Sequence, residues 1–234
     1  MTACFPDQRL VLFEYTVVIV QSPQFCSGKL CRRFVAVQVG DFCGRIQPDQ
    51  FCADVEVKAD IVDPGFSLQV PHGLQNRCRD LAGAEATITT NLLGPIRLTN
   101  ALVDHLKAQA DAAIVNVTSG LAFVPLVLAA TYSATKAAIH SYTISLRDAL
   151  EGQVEVIELA PPAVQTDLTP GQRTREGYQP LEEFGDEVFA LFGQSPTPKE
   201  VLVERVKFLR NAEAEGRFDG ALAAITQLAK GGGH

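Results

Sequence analysis

Apolar positions from residue 81 onward repeat at helical intervals. Within residues 82–109 they recur three and four positions apart, which predicts a helix. The positions are Leu93, Ile96, Leu98, Leu102 and Leu106. A second helix is predicted to hold residues 131–142, TYSATKAAIHSY, and to end near Leu150.

Short apolar runs lie beside these helices and predict buried strands. AAIVNVTSG ends in Ser and Gly, and VEVIELAPP is stopped by two prolines. The order helix, strand, helix, strand favours crossover connections on a parallel sheet, so an α/β fold is predicted. Upstream, YTVVIV predicts a first strand.

The last third of the chain predicts a flap followed by a helical C-terminal part, residues 197–230. Residues 167–196 are rich in Gly, Pro, Gln and charge around one amphipathic piece, LEEFGDEVFALF, which indicates a mobile flap with a small helix. The next helix is predicted from its start signals: Thr197 can cap, Pro198 suits the first turn, and Glu200 completes a capping box.

Composition narrows the class of protein. The 234 residues can bury one substantial core, and a single domain spanning 1–234 is predicted. A net charge of -7 leaves no basic field for phosphate backbones, so no nucleic-acid partner is expected.

No apolar run reaches the roughly 18 residues of a membrane span and the start lacks a signal peptide, which predicts a cytoplasmic protein without a membrane partner. All six cysteines precede residue 80 without paired-ligand spacing, so no metal site is predicted.

A tyrosine and a lysine lie four positions apart in TYSATKAAIHSY. At that spacing Tyr132 and Lys136 share one helix face and can point into one pocket. A neighbouring ammonium favours the phenolate and lowers the pKa of a phenol, and such a tyrosine can act as a general acid or base. The pair alone decides little, because the same spacing occurs by chance on many exposed helices.

Two further residues add to this pair. Ser119 ends a buried strand, where a loop can bring its hydroxyl beside the phenol to bind a substrate carbonyl. Asn91 lies four residues before Pro95, which has no N–H to donate, so the main-chain carbonyl of Asn91 is predicted to be free and to bind an ordered water. Such a water could pass protons from Lys136 toward solvent.

Four residues resemble the catalytic tetrad of the short-chain dehydrogenase/reductase family: Asn91 in TTN, Ser119 in VNVTS, and Tyr132 and Lys136 in YSATK. The resemblance covers about residues 81–168. It implies a Rossmann-like doubly wound parallel sheet flanked by helices, and hydride transfer between NAD(P) and a carbonyl or alcohol substrate. Tyr132 would be the acid/base and Ser119 would orient the carbonyl. Lys136 would bind the nicotinamide ribose and lower the pKa of Tyr132, while Asn91 would hold the relay water through its backbone.

The segment LAPPAVQTDL is similar to the family's PGxVxT segment after the sixth strand. The cofactor contacts that this implies are Tyr132, Lys136, Pro162, Val164 and Thr166. Thr166 would contact the nicotinamide carboxamide or the pyrophosphate, and Val164 would offer its backbone to the same ring. Pro162 replaces the family's glycine, which removes an N–H there. Arg45 suits a 2′-phosphate and favours NADP over NAD.

The first 80 residues depart from the family. Its TGxxxGxG turn, which holds the pyrophosphate, and its NNAG segment are both missing from the sequence. ADIVDP resembles the family's DVxD only faintly, which would put Asp60 near adenine. Only 75 residues separate Thr16 from Asn91, whereas four strand and helix units need about 100. The N-terminal half is therefore predicted to be divergent or incomplete.

Three interpretations stay open. The chain is a working oxidoreductase whose phosphate loop uses Ser22, Ser27 and Lys29 in place of glycine N–H groups. Alternatively, it has the family's fold with impaired or no cofactor binding and acts through dimerisation or protein contacts. In the third, a frameshift or rearrangement replaced the first 80 or so residues, which would explain why the cysteines are confined there.

The resemblance also implies a homodimer or homotetramer, since the family pairs the helices that hold Asn91 and Tyr132. The apolar faces of LTNALVDHL and AIHSYTISL suit such pairing, and equally suit burial within the subunit. His105 and His140 on these helices are assigned to the surface or an interface. In the flap, which would close over substrate, the apolar side chains either indicate an apolar substrate or pack internally; they are Phe184, Phe189 and Leu191.

Overall fold

The computed structural model describes residues 17–20, 33–36, 81–110, 112–167 and 171–231. This part of the chain forms a five-stranded sheet with helices on both faces. The strands are β1 (Val17–Val20), β2 (Arg33–Ala36), β3 (Ala113–Val117), β4 (Glu155–Leu159) and β5 (Glu200–Val201). The helices are α1 (Leu81–Ile88), α2 (Gly94–Lys107), α3 (Ala130–Ala149), α4 (Leu181–Phe192), α5 (Glu204–Arg210) and α6 (Phe218–Gly231).

The sheet has the order β2-β1-β3-β4-β5, and its last three strands run parallel. Val115 lies opposite Ile157, and Leu159 lies opposite Val201. Helix α3 makes the crossover from β3 to β4, as the alternation of helix and strand predicted. The prediction of an α/β fold with a parallel sheet flanked by helices is confirmed.

Strand β1 departs from that parallel arrangement. It runs antiparallel to both of its neighbours, with Val17 opposite Val115 on β3 and opposite Ala36 on β2. The strand predicted from YTVVIV is therefore present, but a doubly wound sheet requires it to run parallel to β3. This direction agrees with the predicted divergence of the N-terminal half.

The two faces of the sheet pack against different helices because alternate strand residues point to opposite sides. Val115, Val117 and Ile157 face a core cluster that includes residues of α4 and β5. Ile114 and Val156 face the other way, against a row of leucines one helical turn apart on α2, which are Leu98, Leu102 and Leu106. The helical period predicted from these leucines is thereby confirmed.

The predicted helix start at Thr197 is wrong. Glu200 and Val201 form β5, paired in parallel with β4, and α5 begins at Glu204. Val201 is fully buried in the core cluster between the sheet and α4. Burial and strand pairing at the sheet edge outweigh the capping signals, since local propensity is a weak prior.

The small helix predicted inside the flap is confirmed as α4, and two of its three singled-out apolar residues pack inside the protein. Phe184 is 0% exposed within the core, and Leu191 packs against the same cluster. Phe189 is partly exposed. Internal packing therefore explains Phe184 and Leu191, because α4 needs an apolar side to cover the sheet.

Several sequence predictions fall outside the described residues. They concern Arg45, Asp60, Ser22, Ser27, Lys29 and the six cysteines. In the part of the chain that the structure does describe, none of the helices combines the length and the apolar character needed to cross a bilayer.

Candidate active site

The carboxyl end of β3 carries the first predicted site residue. Ser119 is half-buried, and its Oγ accepts a hydrogen bond from the N–H of Leu121 at 3.1 Å. The next residue, Gly120, donates its N–H to the carbonyl of Pro161 at 2.9 Å, which joins this turn to the segment leaving β4. A Cβ at position 120 would lie 2.9 Å from Cδ1 of Leu209 and 3.1 Å from Cγ2 of Val206, so these side chains of α5 would have to shift.

Helix α3 brings Tyr132 and Lys136 together. The Lys136 ammonium lies 5.5 Å from the ring centroid of the half-buried Tyr132. Lys136 is 1% exposed, and its Nζ donates to the main-chain carbonyl of Val117 at 3.1 Å. A buried ammonium needs such partners, because desolvation of an unpaired charge is costly. Since Val117 is two residues before Ser119, this hydrogen bond ties α3 to the strand that carries the serine.

Asn91 lies in a π-helical turn, Thr89–Leu93, between α1 and α2. The N–H of Gly94 donates to the carbonyl of Thr89, five residues back. The side chain of Asn91 is buried, and its Nδ2 donates to Oγ1 of Thr135 at 3.5 Å. Among the described residues its Oδ1 has no hydrogen-bond partner. Asn91 thus reaches α3 at the residue before Lys136.

The segment after β4 is fastened to a later part of the chain. Val164 pairs with Gln179 as an isolated parallel bridge. The N–H of Gln165 donates to the Gln179 carbonyl at 2.8 Å, and the N–H of Gln179 donates to the Ala163 carbonyl at 2.9 Å. The Val164 side chain is buried, while Pro162 is half-buried. This pairing ties the segment after β4 to the backbone just before α4.

Two of the predicted cofactor contacts, Val164 and Thr166, share one partner. Nε2 of Gln172 donates to the Val164 carbonyl at 2.8 Å and to Oγ1 of Thr166 at 2.9 Å. The carbonyl and the hydroxyl therefore converge on a single point, where both accept from one amide nitrogen. Thr166 and Gln172 are half-buried.

A buried carboxylate beside the site was missed from the sequence. Glu158 on β4 is 0% exposed, and its Oε1 accepts from Oγ1 of Thr118 at 2.7 Å. Its Oε2 lies 2.8 Å from Nδ1 of His140, one helical turn beyond Lys136. The hydrogen bond to Glu158 raises the pKa of His140, although burial opposes the rise. The assignment of His140 to the surface is therefore incomplete. An acidic residue inside the apolar run VEVIEL was the signal that a partner had to face it.

The arrangement offers acid and base groups around one edge of the sheet. A phenol lies beside a buried ammonium, a hydroxyl lies at the end of the neighbouring strand, and a buried amide reaches the same helix. These are the groups that can donate a proton to a substrate oxygen and stabilise the charge left behind.

Known proteins are similar in sequence to this part of the chain. Residues 73–177 match the sequence profile of the family described as short chain dehydrogenase. The uncharacterized oxidoreductase DltE of Bacillus subtilis (strain 168) is 42% identical over 128 residues, which cover 53% of this chain and 51% of DltE. Residues 73–177 belong to the short-chain dehydrogenase family.

Other similar proteins agree with the family assignment. The NADPH-dependent 1-acyldihydroxyacetone phosphate reductase of Schizosaccharomyces pombe is 35% identical over 44% of this chain and 32% of its own. The crystal structure of a short chain dehydrogenase from Burkholderia cenocepacia J2315 in complex with NADP superposes with a TM-score of 0.54 at 26% identity, over 63% of this chain and 62% of that chain. The chain spans about half, or less, of the length of these two sequence relatives.

Proposed function

We propose that the chain is an NAD(P)-dependent oxidoreductase that interconverts a small carbonyl compound and its alcohol, with NADP favoured over NAD. The observation that carries this proposal is the placement of Lys136, buried beside the Tyr132 ring and bonded to the carbonyl of Val117 near Ser119. An ammonium held there favours the charged form of a neighbouring phenol, as an acid/base tyrosine requires. The family membership of residues 73–177 supports the same conclusion.

The chemistry of the residues present fits the nicotinamide end of such a cofactor. The Val164 carbonyl and the Thr166 hydroxyl already accept from one primary amide, that of Gln172, and a nicotinamide carboxamide has the same donor group. The nicotinamide end of the cofactor would also contact Lys136, Pro162 and Tyr132. When bound, the nicotinamide supplies a hydride to the carbonyl carbon. The adenine end of the cofactor would be bound by residues 1–80, most of which lie outside the described part of the chain.

The protein residues would supply the proton and hold the oxygen. Tyr132 donates its phenolic proton to the substrate oxygen as the carbon gains the hydride, so that hydride and proton together give the alcohol. The Ser119 hydroxyl donates a hydrogen bond to the same oxygen, and Lys136 stabilises the phenolate that remains. A water held by the main-chain carbonyl of Asn91 would carry a proton back from solvent.

Replacement of the phenol tests this assignment. In Tyr132→Phe we expect loss of NADPH oxidation with a panel of small ketones and aldehydes, because the ring remains but no proton can be donated. NADPH binding, followed by fluorescence, should weaken by no more than the loss of one hydroxyl contact, and the circular dichroism spectrum should not change. Tyr142→Phe is the matched control, since Tyr142 is a half-buried tyrosine on the same helix. Equal turnover by Tyr132→Phe and wild type would exclude Tyr132 as the proton donor.

A second candidate function is a family member that does not bind cofactor. The antiparallel direction of β1 favours it, because dinucleotide-binding folds hold the pyrophosphate at the turn after a parallel first strand. Titration with NADPH and NADH separates the two, and no binding at millimolar cofactor favours the second. Translation of the other reading frames upstream of codon 81 tests whether TGxxxGxG and NNAG were displaced.

We also propose that the chain forms a homodimer through the exposed side of α3. Ala130 and Ala134 lie between two open apolar grooves of about 410 and 460 Å³. Ile144 follows on the same stripe and is 49% exposed, and Ile88 at the rim of one groove is 40% exposed. A helix from a second copy would pack its side-chain ridges into these grooves. The cytoplasmic location expected from the sequence stays a prediction.

A further inference from the structure

A buried carboxylate holds the residue that precedes Ser119. Glu158 on β4 is 0% exposed, and its Oε1 accepts from Oγ1 of Thr118 at 2.7 Å. Thr118 is itself buried, and its hydroxyl also lies 3.4 Å from the Leu159 carbonyl. The shorter, charge-assisted bond to Glu158 is the stronger of the two. It therefore fixes the side chain directly beside the hydroxyl that would meet the substrate oxygen.

The far end of the turn after β3 is connected to the same carboxylate through His140. Ser119 precedes a short 3-10 turn, Gly120–Ala122, and Phe123 follows it. The Phe123 ring meets the His140 ring edge to face, with the ring centroids 4.9 Å apart. Nδ1 of His140 lies 2.8 Å from Oε2 of Glu158. Both ends of the turn are thus connected to one carboxylate.

Phe123 is also held from α5. The Arg210 guanidinium lies 4.8 Å from the centroid of the Phe123 ring. Glu200 on β5 accepts two hydrogen bonds from Arg210, at 2.7 and 3.0 Å, and such a bidentate pair fixes the orientation of the guanidinium. Phe123 therefore lies between two fixed groups, and the contact with His140 can support the turn.

The held turn orients the Ser119 hydroxyl. Its Oγ accepts from the N–H of Leu121 at 3.1 Å, and a hydroxyl that accepts a hydrogen bond can still donate its own hydrogen. A hydroxyl that must meet a substrate oxygen needs a fixed position, because a misplacement of about 1 Å can lower a rate about a hundredfold. The contacts of the turn are therefore relevant to catalysis as well as to stability.

We propose that Glu158 is a positioning residue for Ser119, which it holds through Thr118 on one side and through His140 and Phe123 on the other. The inference rests on the proposed function and adds to it residues outside the catalytic tetrad. Glu158 acts on the Ser119 hydroxyl through the turn and not on the substrate.

Thr118→Val tests this role, because it removes the hydroxyl and nearly keeps the shape of the side chain. The backbone bond from the Thr118 N–H to the Leu159 carbonyl, at 2.8 Å, does not involve the side chain, so the variant should fold. We expect kcat for the reduction of small ketones to fall about tenfold, with the KM for NADPH unchanged, because Ser119 loses its position while the cofactor contacts remain. Thr118→Ser keeps the hydroxyl and should restore most of kcat.

Thr143→Val is the matched control. Thr143 is another buried threonine, and its Oγ1 joins α3 to β3 by accepting from Nδ2 of Asn116 at 2.9 Å. Its loss should lower the free energy of unfolding as the loss of Thr118 does, but leave kcat unchanged. Equal losses of kcat in Thr143→Val and Thr118→Val would show a general effect of destabilisation and overturn the inference.

A double-mutant cycle shows whether Thr118 acts through Ser119. In Ser119→Ala the hydroxyl to be positioned is absent, so adding Thr118→Val should lower the remaining kcat no further. Losses that multiply independently in the double variant would overturn the inference, as would a wild-type kcat in Thr118→Val.

Amide hydrogen exchange tests the hold on the turn without cofactor. The N–H of Leu121, which donates to Ser119, should exchange about tenfold faster in Thr118→Val than in wild type or Thr143→Val. Equal exchange in the three proteins overturns the positioning role, whatever their activity. If wild type oxidises no NADPH but the exchange rates differ as expected, the result contradicts the proposed function and supports the hold of Glu158 on the turn.

Discussion

Glu158 places a buried carboxylate between three elements of the site. It accepts from Thr118 at the end of β3 and lies against His140 on α3, while its own strand is β4. A carboxylate with no exposure is tolerated only when donors surround it, and charged donors contribute most. The pair of Glu158 and His140 therefore fixes α3 against the sheet one turn beyond Lys136.

The titration of His140 predicts how stability depends on pH. The charged groups that face it are Glu158 on β4, Glu200 on β5 and Arg210 on α5, and the hydrogen bond to Glu158 is the main reason that its pKa is raised. A pKa raised on folding means that His140 stabilises the fold fully below the unfolded value of about 6.5. The contribution is lost as the pH rises through the raised, folded pKa. Urea unfolding of wild type should show this decline.

His140→Gln is the variant that isolates the effect. Glutamine can still donate a hydrogen bond to Glu158 but does not titrate, so the decline in the free energy of unfolding over that pH window should disappear. The half-buried His105 on α2 offers a matched control, and His105→Gln should keep the wild-type profile. If wild type and His140→Gln lose stability in parallel across the window, His140 is not charged in the folded protein.

At the scale of elements, the π-helical turn at Asn91 follows from one proline. Pro95 has no N–H to donate to the carbonyl of Asn91, four residues before it. Instead, the N–H of Gly94 donates a hydrogen bond to the carbonyl of Thr89, five residues back. Turns of this kind are frequent at functional sites because they re-aim a carbonyl or a side chain. Here the turn lies beside α3, with Asn91 bonded to Thr135.

Pro95→Ala should restore a regular helix through Asn91. The new N–H can donate to the Asn91 carbonyl, so we expect stability within about 1 kcal/mol of wild type or above it, together with a lower turnover of carbonyl substrates. Amide hydrogen exchange should show added protection at position 95. Pro180→Ala, which changes the proline before α4, serves as the control because α4 does not carry a proposed catalytic residue. Unchanged turnover in Pro95→Ala would mean that the Asn91 carbonyl carries no water needed for the reaction.

The elements differ in how far the sequence could predict them. Leu98, Leu102 and Leu106 repeat at the helical period and are all buried, because one amphipathic helix meets one sheet face. β5 could not be predicted, since its pairing with Leu159 depends on a contact across about 40 residues that no local pattern contains. The hydrogen bond from Lys136 to the Val117 carbonyl could not be predicted for the same reason, because Val117 lies on another element.

For the whole molecule, the described residues before and after position 81 differ in how well they follow the arrangement predicted from the sequence. From residue 81 to the end of β4 at Leu159, helices and parallel strands follow the predicted order, and α3 brings Tyr132 and Lys136 together. Before residue 81, β1 and β2 pair antiparallel at the sheet edge next to β3. Spacing and family resemblance could predict the first part because its signals are local. The strand pairing of β1 and β2, before residue 81, depends on non-local contacts, and that part of the sequence lacks the family's glycine-rich turn.

The exposed stripe on α3 gives the last prediction, on assembly. Ile144→Glu places a carboxylate in the proposed apolar interface, where desolvation would outweigh the remaining contacts, so a wild-type dimer should become a monomer. Sedimentation equilibrium over micromolar concentrations measures the change. Leu228→Glu on α6 is the control, since Leu228 is 75% exposed and lines neither groove. A wild-type chain that is monomeric throughout that range contradicts the dimer. If both variants dissociate equally, the interface includes α6 and the stripe on α3 is not its centre.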